Sequence, residues 1–194
     1  MSTTSTTATA QSPATAGKIA GTKAESRGAD SNAHKYLTFC LGTEQYGIEI
    51  LRVREIIGLI AITPLPRTPE FVKGVMNLRG RIIPVIDLRR RFGLPDAETT
   101  KETCIIVVDA THGESTEQNL TGVIVDSVRE VQDIPPEAVE PAPEFGCAVP
   151  LDYIQGMGKA KDRVVVLLDV GEVLDARSAI PSDALEAAEA RRAA

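Results

Sequence analysis

Apolar residues along this chain come in short bursts, set apart by turns rich in Gly, Pro, Asp and Asn. That rhythm predicts strands more than helices. YLTFCL (36–41) reads as a strand, 42–45 as a turn and YGIEI (46–50) as the returning strand. LRVREII (51–57) reads as a short helical continuation that Gly58 stops. In ITPLP (62–66) each proline biases its predecessor away from the α region, so the segment is extended. Pro69 suits the first turn of a short helix over PEFVKG. RIIPVIDL (81–88) is a strand whose Pro84 cannot donate to a ladder, which predicts an edge position or a bulge there. LRRRFG (88–93) is a helical turn closed by glycine. TCIIVVDA (103–110) is apolar through its middle, as a strand covered on both faces must be. A polar hairpin over 111–119 then leads to the strand LTGVIVDSV (120–128). IPPEAV (134–139) is a short helix or turn, and PAPEFG (141–146) an irregular link. YIQGMGKA and DRVVVLLDV make a last hairpin, and GEVLDA begins a helix.

An internal echo runs through this map. Gly47, Val53, Arg54 and Glu55 recur as Gly122, Val128, Arg129 and Glu130, each 75 positions later. Arg81 and Asp87 recur as Arg163 and Asp169, 82 positions later. Two echoes in the same order point to a duplicated β unit. A lone unit of roughly 60 to 70 residues buries only about 60% of its unfolded surface, so two gain by packing together. Small barrels also remove exposed sheet edges. The expected fold is mainly β: two small barrels around a shared hydrophobic seam, with short helices.

Composition narrows the chemistry. Of the 194 residues 43% are hydrophobic and 25% charged, ordinary for a globular protein. A net charge of −6 argues against general nucleic-acid affinity, which rests on a basic face. Cys40, Cys104 and Cys147 are an odd set without CxxC spacing, and read as reduced thiols. His34 and His112 have no neighbour at ligand spacing, so neither metal nor cofactor is expected. No apolar run is long enough to span a bilayer, and residues 1–33 lack a secretory apolar core, so a cytoplasmic location is expected. The Ser/Thr/Ala-rich stretch 1–33 reads as a disordered tail, 34–178 as the folded domain, and 179–194 as an Ala/Glu/Arg-rich tail with helix propensity.

The most specific segment, FVKGVMNLRGRIIPVIDL (71–88), holds no nucleophile beside a base, no ligand cluster and no phosphate loop. GMGKAK (156–161) likewise lacks the order of a phosphate loop. Asp87, Asp126 and Asp169 end strands, where turn and cap formation explain them without an acid–base role. A small hydrolase built on those aspartates is the rival reading from another class.

YLTFCLGTEQYGIEILRVREI followed by ITPLPRTPEFVKGVMNLRGRIIPVIDLRRRFG, with TGVIVDSVREV, PAPEFG and YIQGMGK downstream, resembles the CheW family of chemotaxis coupling proteins. The resemblance covers roughly Lys35 to Asp175. It implies two SH3-like five-stranded barrels and a non-enzymatic scaffold that links cytoplasmic tips of methyl-accepting chemoreceptors to the histidine kinase CheA. Paralogous systems, such as those governing twitching motility or development, use the same kind of adaptor. The resemblance also implies a receptor-binding set: Arg79, Glu55, Val53, Ile56, Val128 and Val131. Arg79 either reaches a partner or forms an ion pair with Glu55, and the two roles are compatible. Asn77 and Gly80 serve the turn that carries it. No residue is assigned to the kinase, and the long 111–119 hairpin departs from the family pattern.

Overall fold

The hairpin of β1 (Lys35–Leu41) and β2 (Glu44–Glu49) opens the fold, turning at Gly42, where φ is +63°. In the computed structural model residues 32–110, 119–143, 149–160 and 163–174 are described. Most of the two predicted tails, the hairpin 111–118 with His112, and Cys147 lie outside them. After a 3-10 turn (Ile50–Arg52) come β3 (Val53–Gly58), β4 (Val72–Leu78), β5 (Arg81–Asp87) and the one-turn helix α1 (Leu88–Arg91). Then follow β6 (Cys104–Asp109), β7 (Leu120–Val125), β8 (Ser127–Asp133), the two-residue β9 (Val139–Glu140), β10 (Ile154–Ala160), β11 (Arg163–Leu168) and α2 (Val170–Leu174).

These strands make two sheets, ordered β8-β1-β2-β11-β10-β9 and β3-β6-β7-β5-β4, which are two small SH3-like barrels. Each sheet mixes the two sequence repeats. The first takes β1 and β2 from the first repeat and the rest from the second; the other takes β3, β4 and β5 from the first and β6 and β7 from the second. The repeats meet at two antiparallel pairs, β1–β8 and β3–β6, and at two parallel pairs that are equivalent: Gly47 lies beside Leu167, and Gly122 beside Val85. At both glycines a Cβ would fall about 3 Å from a packed side chain, so the neighbours claim that space.

Alternation along the strands sorts side chains into three cores. Met76, Ile83, Val85, Ile105 and Val107 fill one barrel, and Tyr36, Ile134, Val165 and Leu167 fill the other. Ile106 and Val108, alternating with the first set on β6, turn outward to join Leu37, Phe39, Leu41 and Leu168 in the seam between barrels. β6 is buried on both faces, as its apolar run predicts.

Four local expectations are corrected. LRVREII is helical only through its 3-10 start. From Val53 it is a strand whose residues alternate between half-buried and exposed, the period-2 pattern that its β-branched residues favour. PEFVKG is a turn, closed by Val72 N–H donating to Pro69 O at 2.9 Å, that leads into β4. Thr63 fixes β4 as extended, because its N–H and C=O bond Val75 at 2.8 and 2.9 Å. LTGVIVDSV breaks at Asp126, dividing β7 from β8. β5 is an interior strand, and the bulge near Pro84 sits in its neighbour β4, between Val72 and Gly74. Since Val75 spends its backbone groups on Thr63, Pro84 opposite it occupies a non-hydrogen-bonded pair. The imino nitrogen therefore points toward β7, whose pairing begins only at Val85.

Candidate functional site

Leu78 pairs with Arg81, leaving Arg79 and Gly80 as a two-residue hairpin loop with φ of +49° and +93°. Two positive values define a turn that normally selects Asn-Gly. Asn77 Oδ1 accepts the Gly80 N–H at 2.9 Å, a bond that closes the loop. Arg79 holds the strained first position with its side chain 78% exposed. Its Nη2 lies 2.7 Å from Glu55 Oε1, so the ion pair, one of its two possible roles, is present and joins the β4–β5 turn to β3. The left-handed backbone costs Arg about 1–2 kcal/mol. An exposed ion pair contributes about 0–1 kcal/mol, which does not exceed that cost. The pair therefore aims the guanidinium more than it stabilises the fold.

The apolar candidates divide. Val53 and Val128 are partly buried and pack against the shared core. Ile56 and Val131 are 45% and 48% exposed, at matching places on β3 and β8, the outer strands of the two sheets. Leu59 and Ile60 extend the exposed apolar run beyond β3. The structure thus joins Arg79 to Glu55 and Asn77 to Gly80, and presents Ile56 and Val131 to solvent, one on each barrel.

Sequence reasoning missed the arginines of α1. Arg89 grips Asp126 through two bonds of 2.7 Å and donates a third, also 2.7 Å, to Pro95 O. Asp126 also accepts the Gly42 N–H at 2.6 Å, tying α1 to the β1–β2 turn. Those bonds, led by Arg89, hold the Asp126 carboxyl below its ordinary range against the opposing effect of burial. Arg91 lies over the rings of Phe71 and Tyr153, at 4.5 and 4.9 Å, and donates to Val173 O at 3.1 Å. Tyr153 continues a ladder of rings through Phe92 and Tyr46 to Phe39. Asp87 and Asp169 accept the first N–H groups of α1 and α2, as strand-end caps should. Three successive arginines after a capping aspartate were the available signal.

The sequence profile of the CheW-like domain matches residues 35–178. The chain belongs to the CheW family. It is 37% identical to the chemotaxis protein CheW of Klebsiella aerogenes, covering 83% of this chain and 89% of that one. The protein FrzA of Myxococcus xanthus is 29% identical over 72% of this chain and 84% of its own. Among solved structures, the scaffolding protein TtCheW of Thermoanaerobacter tengcongensis superposes with a TM-score of 0.64 at 36% identity, covering 72% and 86% of the two chains. A CheW-like fold at that identity agrees with the paired barrels, and its match spans both of them.

Proposed function

We propose that this protein is a non-enzymatic scaffold of chemotaxis signal transduction, coupling methyl-accepting chemoreceptors to the regulatory domain of the histidine kinase CheA. It works in the cytoplasm and is recruited to receptor arrays at the inner face of the membrane. Among the described residues no helix is long and apolar enough to cross a membrane, which fits attachment through partners. Family membership supports the role, and one observation carries the site: an arginine kept in a left-handed turn, exposed and aimed by Glu55. Arg79 and Glu55 supply the polar contact, and Ile56 and Val131 the exposed apolar anchors, for an amphipathic receptor helix. Val53 and Val128 act from beneath, by holding the outer strands on the core. Interfaces of this type bury about 800 Å² per partner, so one double barrel has room for several at once. The three strand-end aspartates are committed to caps and to Arg89, which disfavours the hydrolase reading.

Arg79→Glu and Arg79→Gly together test the site. Both are expected to weaken co-sedimentation with receptor-bearing membranes, the charge reversal more. Arg79→Gly relieves the backbone strain, so its thermal midpoint should match or exceed the parent's. A folded Arg79→Glu protein that still sediments fully would remove the residue from the contact, and a large fall in the Arg79→Gly midpoint would make the ion pair structural.

A further inference from the structure

The repeat builds a second copy of the Arg79–Glu55 end on the other barrel, and the copy carries a different charge. Val128-Arg129-Glu130 on β8 corresponds to Val53-Arg54-Glu55 on β3. Both strands lie at the outer edge of their sheets and both are bulged at this tripeptide. The hairpin ends Ala160 and Arg163 correspond to Leu78 and Arg81. Across the ladder, Val53 faces Val108 and Val128 faces Phe39, so Asp109 and Cys40, one residue further, hold equivalent positions.

That last pair breaks the symmetry. In the barrel of β3 and β6, Asp109 is buried and takes the charge of Arg54, with Nη2 and Oδ2 2.6 Å apart. In the barrel of β8 and β1, a thiol stands there. Arg129 donates its Nε–H to Cys40 Sγ at 3.3 Å and keeps its charge, with no carboxylate partner among the described residues. Glu102 acts on it only through its field. Arg163, also exposed, has no ion-pair partner among the described residues either. Both arginines line a groove of about 630 Å³, with Val128 also in its lining. Its one acidic lining residue, Glu130, accepts a hydrogen bond from Gln132 Nε2 at 3.0 Å. Two guanidiniums without an ion-pair partner among the described residues are a local exception on a chain of net charge −6.

We propose that this groove is a second docking surface, for an acidic segment of a protein partner that brings carboxylates to Arg129 and Arg163 and an apolar side chain to Val128. Planar guanidiniums suit carboxylates, and the polar surround fits a contact read by charge. Nucleic acid is the disfavoured occupant, because the acidic chain as a whole repels phosphates. The inference goes beyond the Arg79 site: it shares Val128 with the receptor-binding set, but its charged contacts, Arg129 and Arg163, lie outside that set.

The test uses the full chain and a labelled amphipathic peptide of Glu, Ala and Leu, with its Gln-for-Glu counterpart as control, read by fluorescence anisotropy. The Glu peptide should bind and the Gln peptide should not, with affinity falling as salt rises. Arg129→Gln and Arg163→Gln should each weaken binding about tenfold, as loss of an interfacial arginine does. Cys40→Asp gives this barrel the carboxylate that the other already has in Asp109; it should weaken the peptide as much as Arg129→Gln while hydrogen exchange stays native-like. If Cys40→Asp fails to fold, the exposed Arg129 and Arg163 variants decide the matter alone. Equal binding of the two peptides, undiminished affinity in the double arginine variant, or tighter binding of a single-stranded oligonucleotide would each overturn the proposal. The probe contains neither kinase nor receptor, so such a failure leaves the Arg79 experiment standing.

Discussion

The three consecutive arginines of α1 leave a single helical turn in different directions, and each meets different chemistry. Arg90 stays near the surface with Asp96, at 2.9 Å. Arg91 inserts between two rings, and Arg89 closes on Asp126. Only the last is a largely buried ion pair, with 16% and 30% of the two side chains exposed. Its loss should cost more than a surface pair and less than a fully buried one, about 1–3 kcal/mol. Because Asp126 is held below its ordinary range, it stabilises the fold above the unfolded-chain value. That contribution is lost as pH falls through the folded one. Asp126→Asn should therefore lower the urea midpoint at neutral pH, and the gap from the parent should close well below about pH 4. A gap constant from neutral to acid pH would mean that shape rather than charge matters there. Asp126 was legible as a strand-end residue, whereas its bond to Arg89 was not. The two are distant in sequence, and no local pattern joins them.

At the scale of elements, β3 and β4 were the hardest to read. Both follow residues with helix-like punctuation, and each becomes a strand through a contact made elsewhere in the chain: β3 by pairing with β6, and β4 by the bridge to Thr63. The hairpins β1–β2 and β10–β11 were legible because their alternation and turns are local. β6 was legible because both of its faces are covered. Gly74 marks where the nonlocal contact constrains the sequence most. It has φ of +136°, and a Cβ there would fall 2.0 Å from the Thr63 carbonyl oxygen. Backbone cannot move aside as a side-chain tip can. Gly74→Ala should destabilise by on the order of 3 kcal/mol, combining backbone strain with the clash. The loss should appear as a lower thermal midpoint and as faster amide exchange at Thr63 and Val75, whose N–H groups make the bridge. Near-normal protection at both would show that the bridge tolerates a methyl group.

For the whole molecule, the duplication was legible from a few echoed residues, but the exchange of strands between repeats was not. Echoes reveal that two units are alike without revealing which strands share a sheet. The seams at Gly47–Leu167 and Gly122–Val85 make each barrel depend on both repeats. The shared core depends on them too, since Phe39, Tyr46, Ile106 and Leu168 come from either half and meet in one cluster. Neither repeat can complete a barrel by itself: β1 and β2 lack their parallel partner β11 without the second, and β6 and β7 lack β5 without the first. Cutting the chain in the exposed segment between Leu94 and Thr103, which joins α1 to β6, should therefore yield two pieces that are each unfolded alone. Mixed in equal amounts they should assemble, recovering the strand signal in circular dichroism and the dispersed amide spectrum of the intact chain. The assembly should have a concentration-dependent midpoint, as expected when folding is also association. If either piece gave a dispersed spectrum alone, the barrels would be separable units, and the exchange of strands would be a detail of connection rather than the source of the rigidity on which a scaffold relies.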